Sequence, residues 1–444
     1  MRNFFRLQLK GMSQEPSTRV GLGISIISIF ILVSYFWSDL RPMINLNNEL
    51  WEYPTILPLI KPVGDDFREG FFYPAKIVLQ GKDPYVDYVF NYPPFAAVFS
   101  IPFRLFQVDQ AYLVQVGLLF VLNAATLWLS LKLVSAVFIH GDTQNRNPVK
   151  WIPYALLPLL AWMQFTSYGF YFSIERGNSD IYAQFFVVLA LWFLVTKPKS
   201  PWWPVVFVSI ATHLKFYPAI IFVLIFWKFR WKSLLPILVT NLALLLSLGP
   251  VRAWEFIRQI IKVMQNPFVF AGNHSAVSFG NMVNGYLQGR IGITLPVILF
   301  YLLPVLIWAI GTVILWRRKY SLQNALLFFI LSVPLMDVIP TTSYDYKLVI
   351  LIAPLAIALY FLLQDISQRG RLVELAKISG LMFLMLFINR SYTMLPVLLK
   401  NKYPFILVMQ LIFLWLILVT PQPKPVPSEM QDNKASIPEL RPVA

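Results

Sequence analysis

A chain of 444 residues that is 57% hydrophobic and only 13% charged, with a mean hydropathy of +0.63, lies well outside the soluble globular range. The formal net charge of +16 does not point to nucleic acid, because Lys and Arg sit mainly in loops beside apolar runs, where they meet anionic lipid headgroups. The absence of cysteine excludes disulfides, thiolate chemistry and Cys-ligated metals.

Residues 1–19 form a basic leader with Arg2, Arg6, Lys10 and Arg19. The apolar run that follows ends in Ser34-Tyr35-Phe36-Trp37 rather than in the small residues of a cleavage site, so it reads as a retained first span over 20–37. Eleven further runs follow, near 111–139, 152–172, 181–195, 203–212, 217–227, 234–248, 294–316, 324–340, 348–363, 378–388 and 405–420. Only helices and closed barrels satisfy their backbone in lipid, and runs approaching 20 residues suit helices. An all-α polytopic bundle of about twelve spans is expected, as one membrane domain over 20–420. Residues 421–444 are proline-rich and polar, and read as a disordered cytoplasmic tail.

Loop charge orients this bundle. With the N-terminus inside, the short inner loops carry Arg146, Lys150, Lys197, Lys199, the Lys228-Phe229-Arg230-Trp231-Lys232 run, Arg317-Arg318-Lys319, Arg369, Arg371 and Lys377. The long loops near 40–110 and 250–290 then lie outside. In the first of them, 66–80 suits a short surface helix with Phe67, Phe71, Phe72 and Ile77 toward lipid, stopped by Gly81. Pro93-Pro94 opens another short helix through Phe106, and 252–265 is amphipathic. No internal repeat is evident.

The same orientation gathers Asp65, Asp66, the turn from Glu175 to Asp180, His213 to Lys215, Asn273-His274-Ser275 and Ser343-Tyr344-Asp345-Tyr346-Lys347 at the outer face. One shared site explains this; the alternative is that polar residues simply mark helix ends. Asp66 suits a general base, and equally a helix N-cap with Glu69 three residues on. Lys215, between apolar segments and beside Pro218, either snorkels or binds an anion. Arg176, Asn178 and Asp180 share one turn and read as donor-site residues or as salt-bridging loop residues; Asp345 and Lys347 flank Tyr346 and read as site residues or as an internal ion pair. With three histidines in the chain, no histidine-based metal cage assembles at ordinary spacing, so no metal is expected. Asn273-His274-Ser275 and Asn389-Arg390-Ser391 match the glycosylation acceptor pattern. No Gly-rich nucleotide loop and no soluble nucleotide domain interrupts the spans, so an activated substrate has to arrive from the lipid phase without a separate cofactor.

The order Asp66-Phe67-Arg68, Phe72-Tyr73-Pro74-Ala75, Gly81-Lys82-Asp83-Pro84-Tyr85 and Asn91-Tyr92-Pro93-Pro94 resembles the first outside loop of glycosyltransferase family 87. Arg176-Gly177-Asn178, Lys215-Phe216-Tyr217-Pro218 and Asn273-His274-Ser275 continue the resemblance, over residues 60 to about 360. It implies a GT-C-type membrane enzyme that uses a polyprenyl-phosphate sugar, similar to the mycobacterial mannosyltransferases of phosphatidylinositol mannoside synthesis, in a bacterial inner membrane with its site facing outside. It further implies that Asp66, with Asp65 as the alternative, deprotonates a lipid or glycan acceptor hydroxyl. Where mycobacterial members have a histidine pair after a Ser-Trp motif, this chain reads Ser343-Tyr344-Asp345-Tyr346-Lys347. A cationic cradle of Lys215, Arg176 and Lys347 is then expected at the donor phosphate, with Tyr85, Tyr92, Asn178, Asp180, Asn273, His274, Tyr344 and Asp345 around the sugar. A transporter or flippase of lipid-linked sugars is the alternative, though such proteins usually show repeats and charge at the midplane; a lipid-binding protein without catalysis is another.

Overall fold

The computed structural model describes residues 64–88, 90–140, 152–265, 272–369, 372–388 and 401–420. The expected first span at 20–37, the basic leader, the Asn389-Arg390-Ser391 triplet and the tail from 421 lie outside these residues. Among the described residues every named element is helical, and the strand-like feature is an isolated bridge between Asn273 and Tyr344.

The chain begins with α1 (residues 65–79), whose second turn is a π-helix over Arg68–Phe72. Then come α2 (Pro94–Phe99) with a 3₁₀ turn at Ile101–Leu105, α3 (Val108–His140), α4 (Ile152–Phe165), α5 (Tyr168–Arg176), α6 (Asp180–Thr196) and α7 (Trp202–Leu214). A 3₁₀ turn at Tyr217–Ile221 leads to α8 (Phe222–Phe229), α9 (Leu234–Leu245), α10 (Pro250–Gln265), α11 (Ala276–Ile291), α12 (Ile298–Arg317) and α13 (Leu322–Val338). A second 3₁₀ turn, Asp345–Leu351, enters α14 (Ile352–Arg369), followed by α15 (Leu372–Ile388) and α16 (Tyr403–Val419).

Three of these segments, Val108–Val137, Ile298–Arg317 and Asp345–Leu363, are long and apolar enough to cross a bilayer, and two bent helix pairs raise the number to five among the described residues. Several other apolar helices, including α7, α13 and α16, are shorter than a full crossing. Helix length among the described residues thus supports three to five of the twelve spans drawn from hydropathy. One of them divides: the 152–172 run breaks at Ser167, whose hydroxyl caps the next helix by accepting the Phe170 amide at 3.1 Å.

The core runs along α13 and α14. Every residue from Asn324 to Val338 is buried, and α14 is flanked by α3, α4, α13 and α15. A helix that is apolar all round belongs inside a bundle, and this one has no lipid face left. The α12–α16 contact shows how a helix proline is accommodated. Pro304 removes the N–H that would bond the Phe300 carbonyl, and the Tyr403 hydroxyl donates to that carbonyl instead.

The first outside loop departs from its expected placement. Phe67, Phe71 and Phe72 are 0%, 2% and 4% exposed, not turned to lipid. Phe67 packs edge-on against Phe103 at 5.2 Å and beside Tyr112, and Phe71 meets Tyr92 at 5.4 Å. The aromatic rings that looked like a lipid-facing stripe instead seat the loop on the bundle, which buries apolar area that a surface helix would leave half wet. Gly81, at φ +75°, ends α1 as expected.

Candidate active site

The site starts from a chain reversal between α5 and α6, which meet at 111°. Gly177 adopts φ +66°, its amide bonding the Ile174 carbonyl at 2.9 Å while the Asn178 amide bonds the Ser173 carbonyl at 3.0 Å. This is a Schellman ending, and it needs a residue without Cβ at its left-handed position. Its consequence is that Arg176 and Asn178 flank one glycine. The Asn178 side-chain oxygen then accepts the Asp180 amide at 3.1 Å, which starts α6.

Into this reversal comes the start of α1. Gly64, at φ +81°, donates its amide to the Glu175 carbonyl at 2.6 Å. Asp66 follows and is gripped from both sides: Arg176 donates Nε to Oδ1 at 2.9 Å and Nη2 to the same oxygen, and Asn178 donates Nδ2 to Oδ2 at 2.9 Å. Asp65 lies 3.2 Å from Arg176 Nη2. The N-cap alternative for Asp66 does not hold, since Gly64 is the cap residue and no side-chain cap bond forms. The sequence-adjacent acids thus meet a guanidinium 110 residues away.

Next to this pair stands a second charge group. Asp180, 1% exposed, accepts the Tyr217 hydroxyl at 2.7 Å and lies 3.8 Å from the Lys215 ammonium. Lys215 sits in extended backbone (φ −151°, ψ 134°) where α7 ends ahead of Pro218, and it donates to the Tyr92 hydroxyl at 3.2 Å. Burial works against its charge, but Asp180, Tyr92 and Asp66 together outweigh it and hold its pKa above the usual lysine value. Tyr92 therefore stands between the acids and the cation: Lys215 and Asp66 both act on its hydroxyl, which burial pushes up. Gly70, within the π turn of α1, makes room for it, since a Cβ there would lie 2.9 Å from the Tyr92 ring. Tyr85 supports this arrangement from behind, donating its hydroxyl to the Tyr92 carbonyl at 2.8 Å.

The later candidates assemble around His274, which is fully buried. Its Nδ1 lies 2.9 Å from Asp345 and its Nε2 3.1 Å from Asp337. Burial opposes a charged ring, yet the two carboxylates raise its pKa to about 9. With both ring nitrogens engaged, a sugar hydroxyl would have to displace a carboxylate to bond this ring, so the expected sugar contact from His274 is not what the geometry favours. Asn273 is equally occupied: its side-chain oxygen accepts the Ser275 amide at 3.2 Å and the Ser343 amide at 2.9 Å. Asp345 pairs with His274 rather than with Lys347. Lys347 donates to the Met336 and Asp337 carbonyls at 2.6 and 3.1 Å, where a cation meets the negative end of α13. Its ammonium also lies 4.1 Å over the Tyr217 ring, which joins this group to Asp180. Tyr344, half-buried, lies with its ring tilted against that of Tyr346 at 5.5 Å, and Asp66 and Asp180 both act on Tyr346.

Of the expected residues, Asp65, Asp66, Arg176, Asn178, Asp180, Lys215 and Tyr92 come together directly; Lys347, Tyr344, Asp345, His274 and Asn273 form the adjoining group, and Tyr85 backs Tyr92. Sequence reasoning named Tyr217 and Tyr346 within their motifs but gave them no role, and it missed Asp337 and Lys402. Asp337 did carry a signal, a lone acid near the end of an otherwise apolar run, which inside a membrane is rare without a function. Among the described residues no group of three His, Asp or Glu side chains has the arrangement of a metal site.

No curated protein matches the chain. Residues 90–339, more than half of the chain, match the model of glycosyltransferase family 87, a stretch that takes in Tyr92, Arg176, Asn178, Asp180, Lys215, Asn273, His274 and Asp337 and begins after Asp66. An apolar helical bundle with a buried acid-and-base cluster, matched over that length, is a membrane glycosyltransferase, and the chain belongs to glycosyltransferase family 87.

Proposed function

We propose that this enzyme transfers a hexose, mannose-like, or a pentose from a polyprenyl-phosphate donor to a hydroxyl of a lipid- or glycan-linked acceptor, with inversion, using Asp66 as general base. The observation that carries this reading is the pairing of an oriented acid with a buried cation across Tyr92: Asp66 fixed by Arg176 and Asn178, and Lys215 held charged beside Asp180. As the acceptor oxygen forms its bond to the anomeric carbon, the bond from that carbon to the phosphate oxygen breaks. The acceptor proton, acidified as the new bond forms, passes to Asp66. Arg176 fills both acceptor sites of Oδ1, but Oδ2, engaged by Asn178, keeps a second lone pair to which an acceptor hydroxyl can donate. The polyprenyl phosphate departs as an anion and needs a cation rather than an acid, a role for Lys215.

Arg176, expected at the phosphate, is engaged by both aspartates. It is better read as the group that orients Asp66, with Lys347 supporting Lys215 from the α13 side. We further propose a GT-C-type bundle of about twelve spans whose site faces away from the basic loops, outside a bacterial inner membrane, because Asp66, Lys215 and Asp345 all fall in segments that loop charge assigns to the outer side.

The experiment is incubation of the purified protein with a radiolabelled panel of polyprenyl-phosphate sugars and with the protein reconstituted in vesicles. Transfer or hydrolysis of label from one donor is the expected result. Binding without turnover would support a lipid-binding protein, and vectorial uptake a carrier; either would remove the glycosyl-transfer mechanism.

A further inference from the structure

The buried group around His274 is larger than the mechanism requires. Four chain segments converge there: Asn273 to Ser275 ahead of α11, Asp337 near the end of α13, Ser343 to Lys347, and Asn401 with Lys402 ahead of α16. The His274 amide donates to the Ser343 carbonyl at 2.8 Å, and the Asn401 side chain donates to the Asn273 carbonyl at 2.9 Å. The backbones are therefore already zipped, and the imidazole sits inside the seam.

The hydrogen count fixes how many protons the ring and its two carboxylates share. Two short contacts, 2.9 Å to Asp345 and 3.1 Å to Asp337, each need one hydrogen between nitrogen and oxygen. A neutral imidazole carries one, and its other nitrogen would present a lone pair to a carboxylate. Ser343 cannot repair this: its hydroxyl donates to the Asp337 carbonyl, so toward His274 Nε2, at 3.4 Å, it can only accept. The trio thus holds one proton more than a neutral histidine between two carboxylates. Charges facing it from the packed elements are Asp337 on α13, Asp345 and Lys347 on the 345–351 turn, and Lys402 ahead of α16, which acts on Asp345.

We propose that Asp337–His274–Asp345 is a proton-bearing clamp, in which a doubly donating imidazolium pins the Ser343–Lys347 segment to α13 and so makes His274 a positioning residue for the donor end of the site. Lys347 is the segment's reach into that site, with its ammonium over the ring of Tyr217, the partner of Asp180. The role in catalysis rests on the glycosyl-transfer reading above; the clamp itself does not.

The test uses full-length protein in detergent micelles with isotope-labelled histidine. The chain has three histidines, and the signal missing in His274→Gln identifies this one. The expected result is a ring carrying two N–H protons at pH 7.5. Donor KM should rise by about 10- to 100-fold in His274→Gln, as for a misplaced binding group, with kcat moving much less. His274→Gln/Asp337→Asn, which removes the unpaired acid, should return KM most of the way, an outcome that loss of packing alone does not give. If His274→Gln does not fold, Asp337→Asn is read in its place, with the same KM shift expected. A neutral ring at pH 7.5, an unchanged KM, or no recovery in the double variant overturns the proposal. If the wild-type protein transfers sugar from no donor, the transfer reading fails, and the ring signal alone decides the clamp: two N–H protons uphold it and one overturns it.

Discussion

Gly177→Ala and Gly81→Ala make a matched pair, because both glycines hold left-handed backbone, φ +66° and +75°. For each, an alanine in that conformation costs about 1–2 kcal/mol. At Gly81 that is the whole cost, since a Cβ meets nothing within 4 Å. At Gly177 the new Cβ would lie 2.6 Å from Phe67 Cβ and 3.3 Å from the Tyr112 ring. Carbon atoms rest about 3.5–4.0 Å apart, so α1 must retreat by about 1 Å. Phe67 follows Asp66 in the chain, and Arg176 and Asn178 flank Gly177, so the retreat pulls the carboxylate away from the donors that orient it. A misplacement of about 1 Å costs roughly 10²-fold in turnover. The assay is transfer from whichever polyprenyl-phosphate donor the panel identifies, alongside thermal unfolding in detergent. Gly81→Ala should lose a little stability and keep its rate, whereas Gly177→Ala should lose both. Equal turnover in the two variants would refute the claim that the α5–α6 reversal orients Asp66.

Three further outcomes follow from the same geometry. Asp66→Asn keeps the shape but cannot accept a proton, so transfer should fall by about 10²–10⁴-fold while donor binding by equilibrium titration is retained; retained turnover would move the role to another acid. Lys215→Met deprives the buried Asp180 of the ammonium 3.8 Å away and should destabilise by about 3–5 kcal/mol, and Lys215→Met/Asp180→Asn should recover stability in thermal melts without recovering donor affinity. His274 has a folded pKa of about 9 against an ordinary 6.5, so its stabilisation is complete below pH 6.5 and disappears as pH rises through 9, on the order of 3 kcal/mol in all. Lys402, which burial lowers to about 8, works with the opposite sign, so the contribution of His274 is the difference between the wild-type and His274→Gln stability curves from pH 6 to 10.

The membrane class followed from composition, because no soluble core tolerates so little charge, and the breaks at Gly81, Pro94 and Pro218 followed from local backbone rules. The polar motifs were also legible as residue types: the Asp pair, Arg176 with Asn178, and Lys215 each stood out against apolar surroundings. What those motifs touch was not. Arg176 reaches Asp66 across 110 positions, and nothing local distinguishes an arginine that binds a phosphate from one that orients an acid.

Burial was misread where periodicity is silent about what lies opposite. Phe67, Phe71 and Phe72 looked like a lipid stripe, and only the packing of Phe103, Tyr112 and Tyr92 made them core. Asp337 vanished into an apolar run for the converse reason, since its partner His274 comes from another segment, 63 positions away. Sequence alone determined that this chain enters a membrane as helices and where its polar residues gather, because both depend on the transfer of single side chains and on local backbone freedom. Tertiary structure decided which acid meets which cation, because charges pair through space, and the buried partners that set their protonation and orientation are brought together only when distant helices pack.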